Sequence, residues 1–256
     1  MTLRSGLREQ NIQERRAHAS RSRPPVLILV RHGQTDYNLQ RRFQGHKDIA
    51  LNAEGRAQAA RAGAFVQALC RNEPGGRGLV ASHLLSSDLS RALESAAFIA
   101  DHLQVKPVVT HSAELREFHV GICEGLTFSE FETIHPDLAR DYLASSAAAP
   151  ETTKWPGGGE SAADVAARAL SVFDSPSRSF LDEPGASDRA AHHWAWHDQS
   201  IWRGVACEIW VSHGGLLSVL MDALGVNKDF HIGNSHVIVL GNFQDSVRLL
   251  HHAAIS

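Results

Sequence analysis

Val26-Leu27-Ile28-Leu29-Val30 is a run of five β-branched or leucine residues that stops at once on Arg31-His32-Gly33. A strand shows alternate residues to opposite faces, so a run with no polar member has to be covered on both sides. That is the environment of a strand at the centre of a parallel sheet. In open α/β sheets ligands lie beyond the carboxyl ends of the strands, where Arg31 and His32 would arrive. Gly33 lets a bulky anion approach the backbone, and Thr35 and Asn38 add neutral donors. A cation, an imidazole and several donors on one loop suit a phosphoryl group, although an Arg-His pair alone also fits an ordinary exposed turn.

The same pattern returns twice. A strand within Leu79 to Leu85 runs through Ser86-Ser87-Asp88-Leu89-Ser90-Arg91-Ala92 into a helix whose expected buried stripe is Leu89, Leu93, Ala96, Ala100 and Leu103. Arg91 falls in its first turn, where a cation opposes the helix dipole at a cost of a few tenths to about 1 kcal/mol. That cost makes sense if the arginine and the helix terminus share one anion. Val205 to Ser212 is another strand, ending on His213-Gly214-Gly215, and the helix from Leu216 to Leu224 stops at Gly225.

Between these units Asn52 caps a helix over 53–70, with Ala62, Phe65, Val66 and Leu69 on its sheet-facing side. Pro107-Val108-Val109 opens a short strand. Residues 126–150 read as helices over the site, with Pro136 starting a new turn and Ser145 to Pro150 a soft linker. Ser161 and Asp164 make a capping-box start for a helix that buries Val165, Ala169, Val172 and Phe173. Residues 234–243 and 246–250 close the chain as an antiparallel pair joined by Gln244-Asp245.

With 256 residues, 43% of them hydrophobic, the chain has room for one large α/β domain over 26–256. Residues 1–25 carry six arginines and no apolar periodicity, and read as a disordered or loosely helical leader. A mitochondrial transit peptide is the alternative, with Glu9 and Glu14 against it. A polar insertion near 175–204 contains His192, His193 and His197 with no accompanying Cys or carboxylate ligand pattern, so an exposed insertion is favoured over a metal site. Gly157-Gly158-Gly159 lacks the Gly-Lys-Ser/Thr of a P-loop. A net charge of -3 argues against nucleic acid as the main partner. No run reaches the ~20 apolar residues that span a bilayer, and the scattered Cys70, Cys123 and Cys207 read as reduced thiols of a soluble, cytoplasmic protein.

Arg31-His32-Gly33-x-Thr35-x-x-Asn38 resembles the signature of the histidine phosphatase superfamily, in its phosphoglycerate-mutase-like branch. Ser86-Ser87-x-x-x-Arg91-Ala92, Leu115-Arg116-Glu117 through Glu124-Gly125, Pro156-Gly157-Gly158-Gly159-Glu160-Ser161 and Val211-Ser212-His213-Gly214-Gly215 are similar to further elements of that family. The resemblance implies a three-layer α/β/α sandwich around a mostly parallel sheet of about six strands, with one antiparallel edge strand. It implies His32 as nucleophile, Glu117 as proton donor and acceptor, and His213 as a catalytic partner, a third positive donor if protonated. Arg31 and Arg91 would grip the phosphate, bordered by Asn38, Thr35, Gln44, Gly45 and Gly214, while Glu124 would be structural. Neither cofactor nor metal is implied, and the partner would be a small phosphorylated metabolite. Phe118 and His119 stand where the family's mutases carry Arg and Tyr, and residues 126–160 offer only Arg140 and Lys154 as cations. Hydrolysis is therefore expected over mutase activity, with a non-catalytic phospho-ligand binder as a third possibility; oligomeric state is left open.

Overall fold

A computed structural model describes residues 26–70, 78–175, 204–243 and 246–255. The leader, the residues 176–203 that make up nearly all of the insertion, and the Gln244-Asp245 turn lie outside the described residues. Six strands, β1 (Val26–Arg31), β2 (Leu79–Ser87), β3 (Val108–Ser112), β4 (Val205–Ser212), β5 (Val237–Phe243) and β6 (Ser246–Ala253), form one sheet in the order β3-β2-β4-β1-β5-β6. Pairings from β3 through β1 are parallel, while β5 is antiparallel to both β1 and β6. The expected antiparallel strand is thus β5, one place in from the edge that β6 forms.

The opening run behaves as its composition demands. Val26, Ile28 and Val30 pack with Ala62, Val66, Ala96 and Ile99 on one face. Leu27 and Leu29 pack with Val165, Trp210, Leu217 and Leu220 on the other. None of the five is more than 5% exposed, and full burial of such a side chain is worth about 1.5–3 kcal/mol. The first layer is supplied by α2 (Ala53–Leu69) and α3 (Ser90–His102), the second by α6 (Ala162–Phe173) and α7 (Gly214–Ala223). Asn52 caps α2 by accepting from Gly55 N at 2.8 Å, and Ser161 with Asp164 caps α6. Before α2 comes a single turn, α1 (Asp36–Leu39). Over the sheet's carboxyl end lie α4 (Phe128–Ile134) and α5 (Pro136–Ala148), which pack around Val120, Cys123, Phe131 and Ala139.

Two expectations change. Leu93 is 39% exposed, because α3 is rotated to bury Arg91, Ala92, Ser95, Ala96 and Ile99. Its polar residues turn inward since Ser95 Oγ accepts from Gly33 N at 3.1 Å and Arg91 enters the site. Ser145 to Ala148 continue α5 rather than forming a linker. Cys70 and Cys207, distant in sequence, bring their free thiols to 3.9 Å. No described helix is long and apolar enough to cross a membrane.

Because β1 and β4 are neighbours in register, with Arg31 opposite Ser212, the residues that follow each strand emerge side by side. His32 N donates to Ser212 O at 2.9 Å across that junction. This puts His32 beside His213 without any long loop. The turn at Gly33 is pressed against the start of α2, where a Cβ on Gly33 would lie 2.2 Å from Gly55 O.

Candidate active site

His32 is fixed through both of its main-chain groups and its ring. Its carbonyl accepts from Ser235 N at 3.1 Å and Asn234 Nδ2 at 3.2 Å. Ser235 holds a left-handed φ of 54° beside that contact. The ring's Nδ1–H donates to Gly33 O at 2.6 Å. A carbonyl can only accept, so Nε2 carries the free lone pair. Burial first, then the charges of Arg91 and Arg31, hold the His32 pKa well below its ordinary value. The ring is therefore a neutral base at physiological pH.

Two guanidiniums flank it. Arg31 Nη1 donates to Ile232 O at 2.6 Å, while its buried Nε has no protein partner. Arg91 is fully buried at the start of α3, its Nη1 and Nη2 donating to Lys47 O and Gly45 O at 2.8 and 2.9 Å. Burial pushes its pKa down to about 10, opposed by Glu117, so it remains charged at neutral pH. Each guanidinium keeps N–H groups that the protein does not use, the condition for gripping an oxyanion.

His213 corrects the expectation of a third positive donor. Its Nδ1 accepts from Arg91 Nε at 3.2 Å, so Nε2 is the protonated nitrogen and donates to Ser87 Oγ at 2.9 Å. Its ring lies 5.1 Å from that of His32. Complete burial, followed by the positive charge of Arg91, pushes its pKa well down. A third cation beside two arginines is disfavoured, and neutral His213 instead steadies Arg91 from behind the cavity.

Glu117 lies at the start of α7. Its Oε1 accepts from Phe118 N and Leu216 N at 3.0 and 3.1 Å, and its Oε2 from Gly215 N at 3.1 Å. The backbone behind it is clamped by Arg168, which donates to the carbonyls of Glu114, Arg116 and Glu117 at 2.7, 2.6 and 3.0 Å. Arg168 also forks onto Glu160, and Glu160 Oε2 accepts from His119 N at 2.8 Å. Sequence reasoning missed Arg168, since nothing in a helical pattern marks one polar residue as reaching three carbonyls of another segment.

These groups meet in a cavity of about 450 Å³ whose inner end is lined by Arg31, His32, Asn38, Gln44, Gly45, Arg91 and Glu117. Asn38 Oδ1 accepts from Thr35 N and Asn234 Nδ2, which leaves its NH2 group for a ligand. Gln44 Oε1 accepts from Thr35 Oγ1 at 2.9 Å, leaving its own NH2 free in the same way. Thr35 and Gly214 do not line the cavity. Thr35 is fully buried and caps α1, so it supports Asn38 and Gln44 rather than a phosphate. Gly214 makes room for Arg31, whose guanidinium would lie 3.1 Å from a Cβ there. Gly45 has φ +56°, and a Cβ would collide with Glu124 Oε1, the acceptor for His46 N. The structural role expected of Glu124 is that contact.

Lowered histidine pKa values carry a stability cost in acid. The unfolded chain binds protons at His32, His213 and His236 (the last lowered to about 4) where the fold does not. Stability is therefore full above the ordinary histidine value of 6.5 and is lost as pH falls below it. The urea midpoint should drop between about pH 7 and about pH 5, above the carboxylate range, and His32→Asn should flatten that drop. A midpoint constant over this interval would contradict the buried neutral imidazoles.

Comparison with known proteins gives a consistent result. The histidine phosphatase superfamily (branch 1) model matches residues 27–183. A glucosyl-3-phosphoglycerate phosphatase of Mycobacterium tuberculosis (strain ATCC 25618 / H37Rv) is 35% identical over 199 residues, 77% of this chain and 74% of that protein. Phosphoglycerate mutase-like protein 4 of Arabidopsis thaliana is 38% identical over 135 residues, 53% of each chain, so this match spans about half of that relative. Among solved structures, a mycobacterial glucosyl-3-phosphoglycerate phosphatase with VO3 superposes with a TM-score of 0.60 at 29% identity, covering 90% of this chain and 98% of the other. A family match across more than half the chain, together with this fold, means that the chain belongs to branch 1 of the histidine phosphatase superfamily.

Proposed function

We propose that the protein is a phosphatase of small phosphomonoesters that works through a phosphohistidine on His32 and needs no metal. The observation that carries this reading is the free Nε2 lone pair of a buried neutral imidazole between two guanidiniums. In the first step the Nε2 pair forms the N–P bond as the P–O bond to the alcohol breaks. Arg31 and Arg91 neutralise charge on the remaining phosphoryl oxygens, and fixed donors of this kind are worth about 10²–10³ each in rate. The departing oxygen takes its proton from Glu117. That proton enters with the ester bound as its monoanion, since phosphomonoesters have a second pKa of about 6. In the second step water attacks phosphorus, Glu117 takes the water's proton, and the N–P bond pair returns to His32. The two arginines supply the charge a metal would otherwise bring, and among the described residues no group of three or more His, Cys, Asp or Glu is arranged to hold one.

Hydrolysis is favoured over mutase chemistry by how the nearby cations are used. Arg140 is exposed and paired with Asp137 and Asp141, and Lys154 is paired with Asp164. Neither lines the cavity, so neither is placed to hold a second phosphate there. The test is release of inorganic phosphate from a simple phosphomonoester in excess chelator, beside a reaction with 3-phosphoglycerate and bisphosphoglycerate primer. Phosphate release with no isomerised phosphoglycerate is expected. Activity lost on chelation, or isomerisation outrunning release, would overturn the reading.

A further inference from the structure

Beyond the phosphate groups the cavity changes character. Its outer wall is Phe43, Phe118, Val120, Tyr142, Pro150 and Trp155, brought together from four separate segments. Tyr142 and Trp155 stack at 4.6 Å, and Phe43 meets Trp155 edge-on at 5.0 Å. The rings hold one another, so the wall is a preformed apolar surface rather than loose side chains.

Charge and hydrogen-bonding capacity are scarce on this wall. Among the described residues Arg42 is the one cation lining the cavity besides Arg31 and Arg91, and it is consumed elsewhere. It forks onto Glu130, and it also donates to Gly125 O at 2.8 Å and to Gln40 Oε1 at 3.0 Å. Among the described residues that line the cavity Glu117 is the only carboxylate, and it offers an anionic leaving group no positive charge. Thr153 Oγ1 donates to Ala149 O at 2.8 Å, and the Tyr142 hydroxyl is engaged by Ser146. A carboxylate buried here would lose water without regaining a cation, and a ring of sugar hydroxyls would find few partners.

We propose that the alcohol released by this site is uncharged and apolar and carries a flat ring that lies on the Trp155–Tyr142–Phe43 wall. This inference rests on the phosphatase reading and specifies its substrate class. A cavity of about 450 Å³ suits a phosphate with one ring system, within the ~300–1,000 Å³ of small-molecule sites.

The test compares kcat/KM for 2-phenylethyl phosphate, glucose 6-phosphate and 3-phosphoglycerate. All three are esters of primary alcohols, so differences in leaving-group chemistry are small. Burial of one ring predicts an advantage of about 30-fold for the phenylethyl ester over each of the others. Trp155→Ala should shrink that ratio about tenfold, mostly through KM, and Tyr142→Leu repeats the measurement should Trp155→Ala fold poorly. Thr153→Arg adds a free cation to the wall and should raise kcat/KM for 3-phosphoglycerate about tenfold, a gain that misfolding cannot mimic. Turnover of 3-phosphoglycerate or glucose 6-phosphate equal to that of the phenylethyl ester overturns the inference and leaves the phosphatase reading standing. Substrate ratios untouched by all three substitutions would show that the wall does not select, with the same consequence. If no ester is hydrolysed at all, the phosphatase reading fails and this inference fails with it.

Discussion

His32→Asn should lower turnover by about 10⁴-fold or more, as removal of a covalent nucleophile does elsewhere, while the protein stays folded. The reason is geometric. An asparagine NH2 can reach the position of the imidazole Nδ1–H and keep the donation to Gly33 O that now spans 2.6 Å. The anchors from Ser235 and Asn234 go to the main-chain carbonyl and survive any side-chain change. What asparagine lacks is the second ring nitrogen with its lone pair. Wild-type enzyme given a labelled phosphoester and quenched in alkaline detergent should yield an acid-labile, base-stable phosphoprotein, and the variant none. His213 is the competing imidazole, 5.1 Å away, yet both its nitrogens are committed, to Arg91 and Ser87. Label surviving in His32→Asn, or mapping to His213, would remove the proposed nucleophile.

Much of this arrangement is legible along the chain because its causes are local. An uninterrupted apolar run needs cover on both faces, and β1 has it from α2 and α3 on one side and from α6 and α7 on the other. Each site element is a strand end on a tight turn, so Arg31, His32, Arg91 and His213 could be named without coordinates. Leu93 shows where that logic stops. A helical stripe read from hydrophobicity alone puts it inside, but the face that turns inward is the one carrying Arg91 and Ser95, because the site needs them. The state of His213 was hidden for a related reason. Its charge is decided by complete burial and then by Arg91, 122 positions away in sequence. The aromatic wall and the Arg168 clamp are assembled from segments far apart in the chain, and no spacing rule joins them.

Gly215→Ala is expected to cut turnover about 100-fold, the lower range for loss of a positioned proton-transfer group, with little change in the melting temperature. Gly215 occupies the first turn of α7 and has an ordinary helical conformation, so alanine meets no backbone strain and has the better helix propensity. The obstacle is a pair of adjacent side chains. A Cβ there would lie 2.4 Å from Glu117 Oε1 and 2.9 Å from the Phe118 ring. Something must move, and Arg168 with its three carbonyl contacts holds the Glu117 backbone in place. The carboxyl group is thus the part that yields, giving up the amides of Gly215 and Leu216 and swinging away from the path of the leaving oxygen. Phosphoenzyme formation should slow most for esters of basic alcohols. It should slow far less for a nitrophenyl ester, whose leaving group needs no proton. Equal losses on both substrates would mean that Gly215 guards the phosphate grip rather than the acid. Full activity in Gly215→Ala would mean that Glu117 does not work from the position in which the α7 amides hold it.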